Sequence, residues 1–330
     1  MKCINKRALA GLLIVSVFLS VTGCGKAKSV VENAYPVYGE SNSVNVLSGA
    51  EDTVSSYFGA NLCVGGTENI GQESVEHNSV AEAAGVFNTA TNTITYAQNI
   101  YERMYPASTT KILTAYLAIK YGNLSDVVTI SDNAVNLASD SSKCGLQAGD
   151  QMTLQDLLYG LMLRSGNDAA IAIAEHISGS VEGFVDLMNQ EAQQLGATGS
   201  HFMNPNGLPD ENHYTTVYDI YLMLNEAMKH QEFTDITQLS NYTTNYTGAD
   251  GSAKTQDWSS TNQYKTGESK LPDGFTLVGG KTGTTGEAGF CLVLLTDNTG
   301  GQPVISIVLK ADCKSNLYLM MNEILAGCGN

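Results

Sequence analysis

Ser108 and Lys111 stand three residues apart in the segment Tyr105-Pro106-Ala107-Ser108-Thr109-Thr110-Lys111. On a helix that spacing puts both side chains on one face, within reach of each other. A serine hydroxyl is a weak nucleophile until a base takes its proton. A lysine can be that base only where burial or a neighbouring cation lowers its pKa. Pro106 ahead of an apolar stretch and Gly122 beyond it punctuate a helix, and a helix N-terminus favours negative charge developing near Ser108. A Ser-x-x-Lys is a weak signal by itself, since about one is expected by chance in a chain of this length. This chain contains that spacing once.

Two further segments complete a candidate constellation. Ser165-Gly166-Asn167 separates two apolar helical stretches. By composition it is a turn; functionally it would aim a hydroxyl and an amide into a cleft. Ser131-Asp132-Asn133 offers the same residue types, but its position before a Ser/Asp-rich loop reads as a short helix with a serine cap. Lys281-Thr282-Gly283 follows a strand-like run and precedes a Gly-rich turn. A strand holds side chains rigidly, as a site requires, and Gly283 lets a substrate backbone lie close. Lys265-Thr266-Gly267 repeats the triplet in a polar stretch without strand pattern, so Lys281 is the chosen lysine. The five histidines show no metal-ligand spacing and the cysteines no C-x-x-C pair, so the sequence calls for no metal or other cofactor.

These residues need a frame to hold them. Segments 81–87 and 93–98 are strand-like around a polar Asn-Thr-Ala-Thr-Asn turn and predict a hairpin. Helices are expected over 154–164, 169–177, 181–195 and 216–229. Strands are expected over 275–280, 290–295 and 304–309, and a closing helix over 317–325. Two strands, a helical block, then three strands and a helix predict an α+β fold. Its antiparallel sheet would be packed by helices, with an all-helical subdomain inserted between its two parts.

Composition narrows the setting. The chain has 330 residues, 43% hydrophobic and 15% charged, the balance of a globular protein with a large core. Lys2, Lys6 and Arg7 head an apolar stretch over 8–21 that has the length of a signal-peptide core. Val21-Thr22-Gly23-Cys24 then resembles a bacterial lipobox, which implies cleavage before Cys24 and lipidation of its thiol, a stable anchor when two or more acyl chains are attached. Without residues 1–23, 14 basic residues face 33 acidic ones. A body that acidic repels phosphate backbones, so nucleic acid is not an expected partner. Residues 24–75 read as a tether whose few apolar residues could instead pack on the domain, and 76–330 as the catalytic domain. Five cysteines remain beyond Cys24, and export permits disulfides; Cys291, in an apolar strand-like run, reads as core.

In order and spacing, the three chemical segments resemble the active-site set of penicillin-binding proteins and serine β-lactamases. With His201-Phe202-Met203-Asn204-Pro205-Asn206-Gly207-Leu208-Pro209 and Gly280-Lys281-Thr282-Gly283-Thr284 added, the chain over 81–325 is similar to the low-molecular-mass serine-type D-alanyl-D-alanine carboxypeptidases. The resemblance implies a β-lactamase/transpeptidase-like fold with a five-stranded antiparallel sheet. It implies a peptidoglycan stem peptide ending in D-Ala-D-Ala as substrate, β-lactams as covalent inhibitors, and action at the outer face of the bacterial cytoplasmic membrane. Ser108 would be acylated, Lys111 would take its proton, and Ser165 would relay a proton to the leaving D-alanine. Asn167 would hold the site or the substrate amide. Lys281 would supply positive potential toward the terminal carboxylate and depress the pKa of Lys111, while Thr282 would bond that carboxylate. The backbone N–H groups of Ser108 and Thr284 would form the oxyanion hole, and Gly283 would admit the substrate.

Related readings differ in the fate of the acyl-enzyme. A class A β-lactamase is disfavoured by the absence of an E-x-x-L-N segment and by Ser-Gly-Asn in place of Ser-Asp-Asn. A non-catalytic β-lactam-binding module is disfavoured by the full set of expected catalytic residues. Endopeptidase action on cross-links would use the same residues. Most of these carboxypeptidases continue into a C-terminal β-domain and an amphipathic helix; here the sequence ends at Asn330, and the lipid at Cys24 would serve as anchor.

Overall fold

The computed structural model of the protein describes residues 59–328. The expected hairpin forms from β1 (Ala81–Asn88) and β2 (Thr93–Gln98). Its turn is held locally, because Asn88 Oδ1 accepts hydrogen bonds from the N–H groups of Ala90 and Thr91, the asparagine turn geometry that competes with strand continuation. There follow α1 (Lys111–Tyr121), β3 (Val127–Thr129), α2 (Asp132–Val135), β4 (Gln151–Thr153), α3 (Leu154–Tyr159), α4 (Asn167–Ser178), α5 (Val181–Gln194), α6 (Val217–Ala227) and α7 (Gln231–Gln238). The chain then forms β5 (Asn241–Thr247), β6 (Ala253–Ser259), α8 (Gln263–Thr266), β7 (Thr276–Thr285), β8 (Gly289–Asp297), β9 (Pro303–Ala311) and α9 (Lys314–Cys328).

The five-stranded sheet has the order β2-β1-β9-β8-β7 and is antiparallel throughout. Ala81 of the first strand lies opposite Ala311 of the last, so the two parts of the sheet meet across the whole inserted block, as the element order requires. Central strands β8 and β9 are buried on both faces, and their side chains alternate between two cores. Val293, Leu295, Ile305 and Ile307 face the helical block. Leu292, Leu294, Val304 and Val308 pack under α9 with Leu317, Met321 and Ile324.

The inserted block holds the expected helices and, in addition, a second antiparallel sheet of order β3-β4-β5-β6. Sequence periodicity misses it for a physical reason. Strands β3 and β4 have only three residues each, and β5 and β6 are largely polar, with Thr244 and Trp258 as their fully buried side chains. Residues 59–75, assigned to the tether by composition, lie against the domain. Cys63 is buried, its N–H donates to Tyr221 Oη at 2.8 Å, and Ile70 exchanges backbone bonds with Ala97. The signal segment, Cys24 and the rest of the tether lie outside the described residues. Among the described residues no helix is long and apolar enough to cross a membrane, and Cys63, Cys144, Cys291, Cys313 and Cys328 are all free thiols.

Candidate active site

Ser108 lies in a short 3-10 turn, Ala107–Thr110, that leads into α1, and Lys111 opens that helix. Ala107 takes a left-handed backbone (φ 48°), strained for a residue with a side chain. Lys111 is fully buried, and its Nζ lies 3.0 Å from Ser108 Oγ, 2.7 Å from Asn167 Oδ1 and 2.7 Å from the Asn206 carbonyl oxygen. The last two atoms can only accept. A neutral amine therefore spends its two hydrogens on them and turns its lone pair toward the Ser108 hydroxyl, the arrangement a general base needs. Burial, and after it the charge of Lys281, hold the Lys111 pKa well below that of an ordinary lysine.

Ser165 is set by an irregularity. After α3 the helix widens into a π turn over Gly160–Arg164, and Ser165 then adopts φ 58°. Such π segments concentrate at functional sites. Gly160 and Gly166 leave the room this path needs, since a Cβ on either would come within 2.6 Å or less of Cys144 Sγ. Buried Asp168 fastens the facing loop by accepting from the N–H groups of Cys144, Gly145 and Leu146, and Asn167 Nδ2 donates to Ser141 Oγ at 2.7 Å.

Strand β7 brings in the third segment. Lys281 is buried; its Nζ donates to Ser165 Oγ at 2.9 Å and to the Thr282 carbonyl at 2.8 Å, and burial lowers its pKa to about 7. A Cβ on Gly283 would stand 2.9 Å from the Ser108 nitrogen and 3.1 Å from the Pro106 oxygen, so the nucleophile turn and the strand close on each other only because that side chain is missing. Ser108, Ser165, Thr282, Gly283 and Thr284 line one cavity of about 300 Å³. A second cavity of similar volume continues past Ser108 and Thr284 on the other side, along Asn167, Asn206 and Leu208. The constellation proposed from sequence thus converges on one cleft. The rejected segments lie elsewhere: Ser131 Oγ caps α2 by accepting from Ala134 N, and Lys265 donates to the Leu239 carbonyl from α8.

Sequence reasoning missed Lys314, Thr261 and Ser142, which line the first cavity. Thr261 bonds the Thr282 hydroxyl at 2.5 Å. Lys314 lies ahead of the closing helix expected over 317–325 and became its first residue only in the structure, at the end where the helix dipole disfavours a cation.

The fold and this cleft define a protein of the β-lactamase and DD-transpeptidase class, with a serine hydroxyl set against a buried lysine. Comparison with known proteins gives the family. A model of the D-alanyl-D-alanine carboxypeptidase peptidases matches residues 70–313. The D-alanyl-D-alanine carboxypeptidase DacF of Bacillus subtilis is 34% identical over 265 residues, 77% of this chain and 64% of that protein. The Streptomyces sp. D-alanyl-D-alanine carboxypeptidase is 34% identical over 267 residues, 77% of this chain and 89% of its own length. The crystal structure of the Streptomyces K15 DD-transpeptidase superimposes with a TM-score of 0.68 at 32% identity, covering 75% of this chain and 97% of that one. This chain belongs to the D-alanyl-D-alanine carboxypeptidase family. It spans about two thirds or less of several relatives, 64% of the Bacillus subtilis protein and 52% of the Haemophilus influenzae DacA.

Proposed function

We propose that the protein is a serine-type D-Ala-D-Ala carboxypeptidase that removes the terminal D-alanine from peptidoglycan stem peptides through an acyl-enzyme on Ser108. The observation that carries this reading is the contact of Ser108 Oγ with a buried lysine whose other two partners can only accept. Lys111 takes the hydroxyl proton as Oγ bonds to the carbonyl carbon of the penultimate D-alanine. The Ser108 and Thr284 N–H groups receive the oxyanion, the largest electrostatic contribution in such reactions. The C–N bond to the terminal D-alanine then breaks, and Ser165, hydrogen-bonded to Lys281, relays to the departing amine the proton that Lys111 removed. Lys281 and Lys314 supply positive charge for the terminal carboxylate, and Thr282 a hydroxyl. Asn167 holds Lys111 and the donor amide, and Gly283 leaves the substrate backbone room along β7. Water finally cleaves the ester. A β-lactam would acylate Ser108 by the same attack, with its ring-opened amine still tethered. The site is proposed to work outside the cell, with Cys24 lipidated and the domain carried at the membrane face.

The test is free D-alanine released from diacetyl-Lys-D-Ala-D-Ala by the soluble domain, with Ser108→Ala alongside. Release by the wild type and none by the variant is expected; cleavage by Ser108→Ala would overturn the assignment. A second reading, transfer of the acyl group to an amine in place of water, draws on the transpeptidase name of the Streptomyces neighbour. It predicts an aminolysis product when an amine acceptor is added to the same assay.

A further inference from the structure

His213 takes no part in the chemistry above, yet it is 1% exposed and belongs to the loop that supplies the Asn206 carbonyl to Lys111. Its hydrogen bonds can be assigned without ambiguity. The Met203 N–H can only donate, and it reaches Nδ1 at 3.1 Å, so Nδ1 carries no proton and the ring hydrogen sits on Nε2. Nε2 lies 2.9 Å from Thr110 Oγ1 and therefore donates to it. Thr110 in turn has one hydrogen left to give, and its Oγ1 lies 2.9 Å from the Ala107 carbonyl. The chain of donors runs from the His213 ring through the Thr110 hydroxyl to the Ala107 oxygen. Burial supports the neutral ring by lowering its pKa to about 4 against the pull of Asp210, with His201 and Lys111 acting in the same direction as burial.

The Ala107 oxygen matters because it shares a peptide plane with the Ser108 nitrogen. In a trans peptide the C=O and N–H bonds point in opposite directions, so fixing one end aims the other. The Ser108 N–H is a first-turn amide with no partner in its own helix, and its nitrogen lies against β7 beside Gly283. The plane does not rest where it is by preference, since Ala107 is in the left-handed region. A threonine bonding back three residues is common in helices. Here the same carbonyl is also backed by Gly207 (φ 86°), where a Cβ would come within 1.8 Å of it, and the threonine is itself held by a buried histidine.

We propose that His213 and Thr110 are positioning residues that lock the Ala107–Ser108 peptide so that the Ser108 N–H faces the cleft as an oxyanion donor. The inference rests on the acyl-enzyme reading of Ser108. The test compares Thr110→Val, Thr110→Ser and His213→Gln with the wild type. The readouts are acylation by a fluorescent penicillin, kcat and KM for D-alanine release, and thermal melting. Valine matches threonine in shape but cannot donate. Thr110→Val is expected to slow acylation roughly 10- to 100-fold, somewhat less than outright loss of an oxyanion donor. The loss should fall on kcat, with KM within about twofold and melting close to wild type. Thr110→Ser should recover most of the rate, and His213→Gln should lie between. A role in packing alone would leave Thr110→Val as active as Thr110→Ser. Wild-type rates in Thr110→Val, or a loss confined to KM, overturn the inference while wild-type acylation still stands. A wild-type protein that takes no penicillin on Ser108 overturns the acyl-enzyme reading and this inference with it.

Discussion

Two lysines buried side by side set the behaviour of the site at the scale of single residues. Lys111 loses its proton readily because it is out of water and beside another cation, and Lys281 is lowered by burial to about 7. A substrate carboxylate arriving at Lys281 would restore its charge, which lowers Lys111 further when a base is needed. In Lys281→Ala the neighbouring cation is gone and the pKa of Lys111 rises. The rising limb of the pH profile for penicillin acylation should therefore move to higher pH, with a slower rate throughout; an unmoved limb would separate the two lysines. Burial of Lys281 also couples stability to pH. Its folded pKa lies below the unfolded value of about 10.4, so between the two the unfolded chain holds more protons and stability rises with pH. Below about 7 the cost of the buried lysine is present in full. Lys281→Met should raise the melting temperature more at pH 6 than at pH 9.

At the scale of elements, the helix carrying Lys111 must not shift against its neighbours, and a buried carboxylate secures it. Glu191 of α5 accepts from Lys120, Tyr116 and Tyr121 at 2.6–3.1 Å. Those three donors outweigh the upward push of burial, and the Glu191 pKa ends below its usual value. Its contribution is therefore present above the unfolded carboxylate pKa and lost as pH falls through the lowered one. Glu191→Ala leaves the Lys120 ammonium and two hydroxyls without their shared acceptor. Lys120 is one third exposed, so the expected loss is about 2–3 kcal/mol rather than the larger figure for a fully buried pair. Chemical denaturation measures it, and acylation of the folded fraction should stay near the wild-type rate, because Glu191 touches neither Ser108 nor its partners.

At the scale of the whole molecule, the described domain is closed by its first and last strands, with the cleft between β7 on one side and α1 with the α3–α4 turn on the other. The proposed lipid at Cys24 would put this cleft within reach of the wall at a distance set by the segment between Cys24 and the domain. Cys24→Ala should therefore leave penicillin binding intact and move the protein from the membrane fraction to the soluble one. Retention in membranes would defeat the lipobox reading. Much of this architecture was legible in the chain. The order of strands and helices already required β1 to pair with the C-terminal strands. Lys281 could be chosen over Lys265 because only one of them followed a strand pattern with a Gly-rich turn after it. Ser108 and Lys111 were legible by spacing, because residues three apart on a helix share a face, and Ser165-Gly166-Asn167 by its composition, a polar turn between two apolar helical stretches.

The sequence by itself determined what is local: the spacing of Ser108 and Lys111, the strand that carries Lys281, the principal helices, and the hairpin, caps and glycines that shape each one. The tertiary structure alone decided what depends on long-range proximity. It lowered the pKa of Lys111 by burying that residue within range of the Lys281 charge, and set its Nζ against the Asn206 carbonyl. It placed Lys314 in the cavity, assembled the small polar sheet from strands too short or too hydrophilic to show a period, and tied His213 to the nucleophile through Thr110. A pKa and a hydrogen bond between side chains are properties of surroundings, and these surroundings come from segments far apart in the chain (Asn206 and Lys111 are separated by 95 residues, His213 and Thr110 by 103).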